Sequence, residues 1–181
     1  MIFDLDTPVT VFLGDRCIAS GSLRDAVTAI KSQSEPGERC LVFDDITAKV
    51  IDLDLRGSVG EVVARFTPPK TPGRPKLGVV PREVTLLPRH WAWLAEQPGG
   101  ASVALRRLVE TARKADDKAD VRAAQAAAYR FMGAMAGDRP GFEEACRALF
   151  SGDAAKFLYQ IENWPADVRD YATRLATPAF T

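Results

Sequence analysis

Between Lys70 and His90 the chain sets Lys70, Arg74, Lys76, Arg82 and Arg89 against one acid, Glu83. Cations at that density neutralise phosphates, and nucleic-acid affinity comes from such local Lys and Arg rather than from net charge. Arg106 and Arg107 follow in a stretch of helical spacing, with Arg113 and Lys114 behind them and Ser102 placed as a helix cap. Within Arg82–Leu87 one face of a strand carries Arg82, Val84 and Leu86 and the other Glu83, Thr85 and Leu87. Base edges are read by hydrogen-bonding side chains, so Thr85 or Arg82 is the residue suited to that task on its face. The candidate nucleic-acid-binding residues are therefore Lys70, Arg74, Lys76, Arg82, Thr85, Arg89, Ser102, Arg106 and Arg107.

Other chemistry is less well supplied. Asp44, Asp45, Asp52 and Asp54 lie on or beside neighbouring strands. Several carboxylates on one face would suit Mg²⁺ or Ca²⁺, which take oxygen ligands. The alternative is the solvated face and turn of a hairpin, balanced by Lys49 and Arg56. His90 is the single histidine. Nucleophile triads usually need one, yet G-x-S-x-G, P-loop and G-x-G-x-x-G patterns are absent, so hydrolase chemistry of that type is not expected. Cys17, Cys40 and Cys146 are odd in number and lack a C-x-x-C pair, which argues against a disulfide framework and a cysteine zinc site. No catalytic residue, metal or cofactor is expected.

The whole chain has 181 residues and a net charge of zero, with 46% hydrophobic content, ordinary for a folded domain. The zero is unevenly composed. Residues 1–66 carry 7 basic and 11 acidic side chains, residues 67–114 carry 9 and 3, and residues 115–181 carry 8 and 10. No stretch approaches the roughly 20 apolar residues that a membrane-spanning helix needs. The first residues, Met1-Ile2-Phe3-Asp4, are acidic where a secretory leader is basic, so a cytoplasmic chain is expected.

Four segments are expected from the patterning. Residues 1–66 read as a small α+β domain of order ββαββα. Val9–Leu13 and Arg16–Ser20 are strands joined by Gly14-Asp15. Ser22 caps a helix whose Leu23, Ala26, Val27 and Ile30 form one stripe. Cys40–Phe43 and Val50–Leu55 are two more strands, the second alternating Ile51, Leu53 and Leu55 inward with Asp52 and Asp54 outward. A short helix through Val59–Phe66 closes the domain. Residues 67–81 hold four prolines and two glycines between Thr67 and Gly78 and read as an extended basic linker or arm. Residues 82–114 read as strand, helix and helix, with Leu105, Leu108, Val109 and Ala112 as one stripe of the second helix. Residues 115–181 read as a helical bundle. The fold class is α+β: the ββαββα unit, the Pro-rich arm, then a mainly α-helical C-terminal region.

Three resemblances attach to these residues. Gly73-Arg74-Pro75, with Lys70 and Lys76 around it, resembles the core of an AT-hook, whose arginine enters a narrow A·T minor groove; the alternative is a basic Pro-rich linker. Residues 82–114 resemble a ribbon-helix-helix segment. That resemblance implies a homodimer whose paired strands lie in the major groove and whose second-helix N–H groups, near Gly100–Val103, clamp phosphate. The first helix is about a turn shorter than in that family, and a strand-helix-helix piece of core is the alternative. Over nearly its full length the chain resembles a bacterial domain-of-unknown-function family, number 2239. The runs that carry this are Gly73–Val80, Arg82–Trp91, Trp93-Leu94, Gly99–Ser102, Ala104–Val109, Ala128–Met132 and Trp164–Arg169. That resemblance implies a bacterial intracellular protein and supplies no activity.

Three functions remain open at this point. One is a DNA-associated, regulator-like protein, a homodimer using the arm and ribbon. Another is a non-catalytic protein-interaction module using exposed tryptophans among Trp91, Trp93 and Trp164. The third is a metal-dependent enzyme built on the Asp residues. DNA and a second copy of the chain are the expected partners, and a membrane is not.

Overall fold

A computed structural model describes residues 5–33, 38–66, 82–116 and 118–180. Lys70, Arg74 and Lys76, and with them the AT-hook-like core, lie outside the described residues. The chain divides into two compact units. The first takes its described residues from 5–66 and 120–180, the second from 82–119.

In the first unit β1 (Pro8–Leu13) and β2 (Arg16–Ser22) form an antiparallel hairpin with Leu13 opposite Arg16. Gly14 has φ +56° while Asp15 stays at negative φ, the sign pattern of the II′ turns that suit twisted hairpins. β3 (Cys40–Asp44) pairs on the other side of β1, giving the antiparallel order β2-β1-β3. A bulge between Val11 and Phe12 shifts the β2 register.

β1 is buried from Val9 to Leu13, with Thr10 its one polar side chain, because both of its faces are covered. Val9 and Val11 pack with Leu23, Ala26 and Ile30 of α1 (Leu23–Gln33). Phe12, pointing the other way, packs with the helices beyond residue 120. Ser22 begins α1 as expected: its Oγ accepts from Asp25 N–H at 3.2 Å while the Asp25 carboxylate accepts from Ser22 N–H at 3.3 Å. This is the reciprocal capping arrangement. α2 (Val59–Phe66) repeats it with Ser58 and Glu61.

The expected fourth strand, Val50–Leu55, is reduced to one bridge between Phe43 and Val50. Ile51 N–H still donates to the Val42 carbonyl at 2.8 Å, and beyond it no ladder forms. The burial alternation survives, with Ile51 buried, Leu53 and Leu55 half-buried, and Asp52 and Asp54 exposed. An alternating pattern reports which side chains face the core, and it does not by itself require a neighbouring strand.

The remaining helices of this unit are α5 (Ala119–Ala136), α6 (Phe142–Ser151), α7 (Ala154–Gln160) and α8 (Ala166–Ala176), closed by a 3₁₀ turn at Thr177–Phe180. Their core joins the sheet through four rings. Phe131 lies 5.3 Å from Phe12, 5.0 Å from Phe43 and 4.6 Å from Tyr171, centroid to centroid. Offset and edge-on contacts at these distances add to simple burial. Among the described residues no helix is long and apolar enough to cross a membrane.

The second unit is a helical hairpin, α3 (Pro88–Ala95) and α4 (Gly100–Lys114). Pro88 opens α3 at its first position, where no N–H is needed. Gly99, at φ +84°, makes the turn into α4, and a Cβ there would fall 3.1 Å from the Val103 side chain. Residues 82–87 join no strand ladder among the described residues.

Candidate functional site

The second unit carries all six of the candidate nucleic-acid-binding residues that the structure describes. Arg82, Thr85, Arg89, Ser102, Arg106 and Arg107 are all exposed. α4 sorts its two faces by helical period. Ser102, Arg106, Glu110 and Arg113 recur on one side, and Ala101, Ala104, Leu105, Leu108 and Ala112 on the other. Ser102, expected as the cap, instead lies inside the first turn of α4, whose N-cap is Gly99 with no side chain capping it. Gly100 N–H donates to the Gln97 carbonyl at 2.9 Å, and the N–H groups after it lie at the positive end of the helix dipole.

The apolar side of this hairpin is only partly used. Leu94 and Ala104 are its buried apolar residues among those described. Val84, Leu87, Trp91, Trp93, Leu108 and Val109 are between 42% and 61% exposed. α3 spans eight residues and α4 fifteen, so α3 covers only the first part of the α4 stripe. Leu86, His90, Trp93, Leu94, Leu105 and Leu108 line a cavity of about 290 Å³.

The four Asp residues do not converge. Asp44 closes its own turn, accepting from Ile46 N–H at 3.2 Å, Thr47 N–H at 2.6 Å and Thr47 Oγ1 at 2.7 Å. Asp54 is clasped by Arg56, with bonds of 2.8 Å to both carboxylate oxygens. Those hydrogen bonds hold the Asp54 carboxyl far below the usual carboxylate range. Asp52 is exposed. Among the described residues no group of three or more His, Cys, Asp or Glu is placed to hold a metal.

Asp45 has a different role that sequence reading misses. Its Oδ1 accepts from Thr10 Oγ1 at 2.7 Å, Tyr171 Oη at 2.8 Å and Arg174 Nη2 at 3.0 Å. The Arg174 guanidinium also stacks over the Tyr171 ring, 4.4 Å from its centroid. Burial, and then the bond to Asp45, push the Tyr171 hydroxyl well above its ordinary pKa. Tyr171 is thus a neutral donor near pH 7. Beside this network Cys17, Ser20, Asp167 and Asp170 help line a cavity of about 230 Å³. Its polar groups are engaged with one another: the Asp167 carboxylate accepts from Cys17 N–H at 2.7 Å. The arrangement ties the sheet to α8 and exposes no activated nucleophile. Burial raises the Cys17 thiol, helped by Asp167, and the Cys40 thiol, helped by Glu38. The same cause pushes Cys146 up to about 11, so these thiols stay protonated and unreactive near neutrality.

Compared with known proteins, the chain matches one family model over residues 8–176, described as an uncharacterised protein conserved in bacteria, DUF2239. No curated protein and no solved structure matches it.

Proposed function

This chain belongs to the DUF2239 family of uncharacterised bacterial proteins, and we propose from its second unit that it is a DNA-associated protein acting as a homodimer through residues 82–114. The observation that carries the reading is the unfinished core of the helical hairpin, with Trp91, Trp93, Leu108 and Val109 exposed around the two buried residues. A unit of this size buries too little apolar surface to be stable unaided. A second copy of the same unit would cover the remaining stripe of α4. It would also give residues 82–87 a strand partner, making an antiparallel ribbon with Thr85 or Arg82 outward.

The charges support the same reading. Segment 67–114 holds 9 basic and 3 acidic side chains, while both flanking segments are net acidic. Arg106 lies on the α4 face away from its apolar stripe and Arg107 at the edge between the two faces, where they would meet phosphate near the helix start. Fluorescence anisotropy with an A·T-rich duplex across a salt series tests this. The reading expects binding that weakens steeply with salt. Undetectable or salt-insensitive binding contradicts it.

A second reading is favoured by the nearly wholly apolar lining of the Leu86, Trp93 and Leu108 cavity. There the same face receives an apolar anchor from a different protein. A light-scattering mass of one chain, together with no duplex binding, selects that reading.

A further inference from the structure

A groove that no residue of the helical hairpin lines runs along one face of α5 in the first unit. Gln125, Ala126, Tyr129, Arg130 and Gly133 recur on that face at helical spacing, and Phe150 from the end of α6 joins them. Its volume is about 600 Å³.

The groove is aromatic and wedge-shaped. Tyr129 and Phe150 are large rings left 48% and 54% exposed, with centroids 5.7 Å apart and planes inclined at 56°. Phe142 backs Tyr129 at 6.5 Å. Rings set at such an angle make a notch, which suits a compact, puckered ring such as that of proline rather than a flat one. Small residues stand one turn to either side of Tyr129, at Ala126 and Gly133, and a Cβ built on Gly133 meets nothing within 4 Å. Those two positions are seven residues apart, about 10.5 Å along a helix. In a polyproline II helix, residues three apart share a face at a separation of about 9 Å. The open positions on either side of Tyr129 therefore match the period of a P-x-x-P sequence.

Hydrogen bonding points the same way. Arg130 donates to the Thr47 carbonyl and Gln125 to the Leu149 carbonyl at 3.2 Å. Each bond anchors its side chain and leaves it further N–H groups to donate. Among the described residues the Tyr129 hydroxyl has no hydrogen-bond partner. Arg122 also lines the groove and is already engaged within the chain. No carboxylate lines it among the described residues. Proline offers a carbonyl and no N–H, so a proline-rich backbone accepts far more than it donates. A groove supplied with donors and lacking carboxylates is its complement.

We propose that this groove docks a proline-rich segment of a partner protein in polyproline II form. The prolines of P-x-x-P sit at Ala126 and Gly133, either side of the Tyr129 ring, and the peptide carbonyls accept from Tyr129, Gln125 and Arg130. Aromatic-lined grooves take such segments because the ligand is already extended and loses little freedom on binding. This chain's own Pro69-Lys70-Thr71-Pro72 has the same spacing, but Lys70 and Arg74 would bring positive charge to Arg130. The occupant is therefore a neutral or acidic segment of another protein. The inference is independent of the hairpin reading, since no residue of 82–114 lines the groove.

Fluorescence anisotropy on the full chain tests it. The probes are a labelled Ala-Pro-Pro repeat peptide ending in two aspartates, the same repeat ending in two lysines, and a Gly-Ser peptide of equal length. The acidic proline peptide is expected to bind about tenfold or more tightly than the Gly-Ser peptide, and more tightly than the basic one. Tyr129→Ala is expected to weaken it about tenfold, as for an aromatic residue at the centre of a contact. Tyr129→Phe keeps the ring and loses one donor, and is expected to weaken it about fivefold. Gly133→Leu fills the groove from an open position and is expected to abolish binding while leaving the melting temperature unchanged or raised, because leucine is the better helix former. The proposal is overturned if neither proline peptide binds, if the Gly-Ser peptide binds equally well, or if Gly133→Leu leaves the affinity intact. Tighter binding of the basic peptide overturns the assignment of a neutral or acidic partner. An Arg106→Ala variant, which tests the hairpin, should leave these titrations unchanged.

Discussion

Tyr171 Oη donates to Asp45 Oδ1 at 2.8 Å across 126 residues of sequence. That one oxygen also receives Thr10 and Arg174, so it fastens the sheet to the last helix. The two ends of this bond are not equivalent. Tyr171→Phe leaves Asp45 with two donors and should cost about 1 kcal/mol, the net value of one hydrogen bond. Asp45→Ala leaves the buried Tyr171 hydroxyl without its acceptor and Thr10 Oγ1 with only Ser20 Oγ at 3.2 Å, and should cost about 3 kcal/mol. Urea denaturation of both variants checks the order. Equal losses would remove the special standing of Asp45.

Phe131 touches Phe12, Phe43 and Tyr171, joining sheet and helices at one ring. Phe131→Ala should therefore destabilise the chain by about 3–5 kcal/mol, the range for a fully buried phenylalanine. A loss below about 1 kcal/mol in chemical denaturation would contradict the shared core.

Stability should fall on the alkaline side. Cys146 titrates at about 11 when folded against an ordinary 9.0, and Tyr171 is raised above its ordinary 10.0. Both groups hold their proton more tightly in the folded chain. Their contribution is complete below pH 9 and is lost as pH rises through the folded values. Cys17 and Cys40 act in the same direction. Melting curves should show Cys146→Ala with a smaller loss between pH 9 and 11, and Tyr171→Phe with a smaller loss above pH 10. Curves parallel to wild type would disprove the assignment.

Local features of this chain were legible in sequence, and distant ones were not. Ser22 announces a cap because the bond it makes reaches only to Asp25, and Val59–Phe66 shows its helix in its own spacing. Gly14-Asp15 likewise marks the hairpin. Ile51, Leu53 and Leu55 reveal burial, yet the ladder they suggested is one bridge long, because pairing depends on a neighbour that alternation does not specify. Asp44, Asp45, Asp52 and Asp54 look like a cluster when counted along the chain. They do not act together: Asp44 serves its own turn, Asp54 holds Arg56, Asp52 is exposed, and only folding brings Asp45 to Tyr171. The groove beside Tyr129 was equally hidden, since Phe150 comes from another helix. The basic and apolar faces of α4 could be read directly, because one helix period carries both.

Leu108 is 45% exposed on the α4 stripe, so it contributes little to the fold of a single chain. Leu108→Asp should change the melting temperature of an isolated chain slightly and place a charge in the proposed contact between copies. Light scattering should give twice 19.7 kDa for wild type and 19.7 kDa for the variant. Equal masses for the two proteins would rule out pairing through this face.

The most direct test of a paired, DNA-bound hairpin is the salt dependence of duplex binding in wild type and Arg106→Ala. Each phosphate contact contributes about 0.9 to the slope of log affinity against log salt. A homodimer loses one contact per copy, so the account predicts a slope shallower by about 1.8 with affinity reduced for all duplex sequences alike. An unchanged slope, or a wild-type protein whose binding ignores salt, would contradict it.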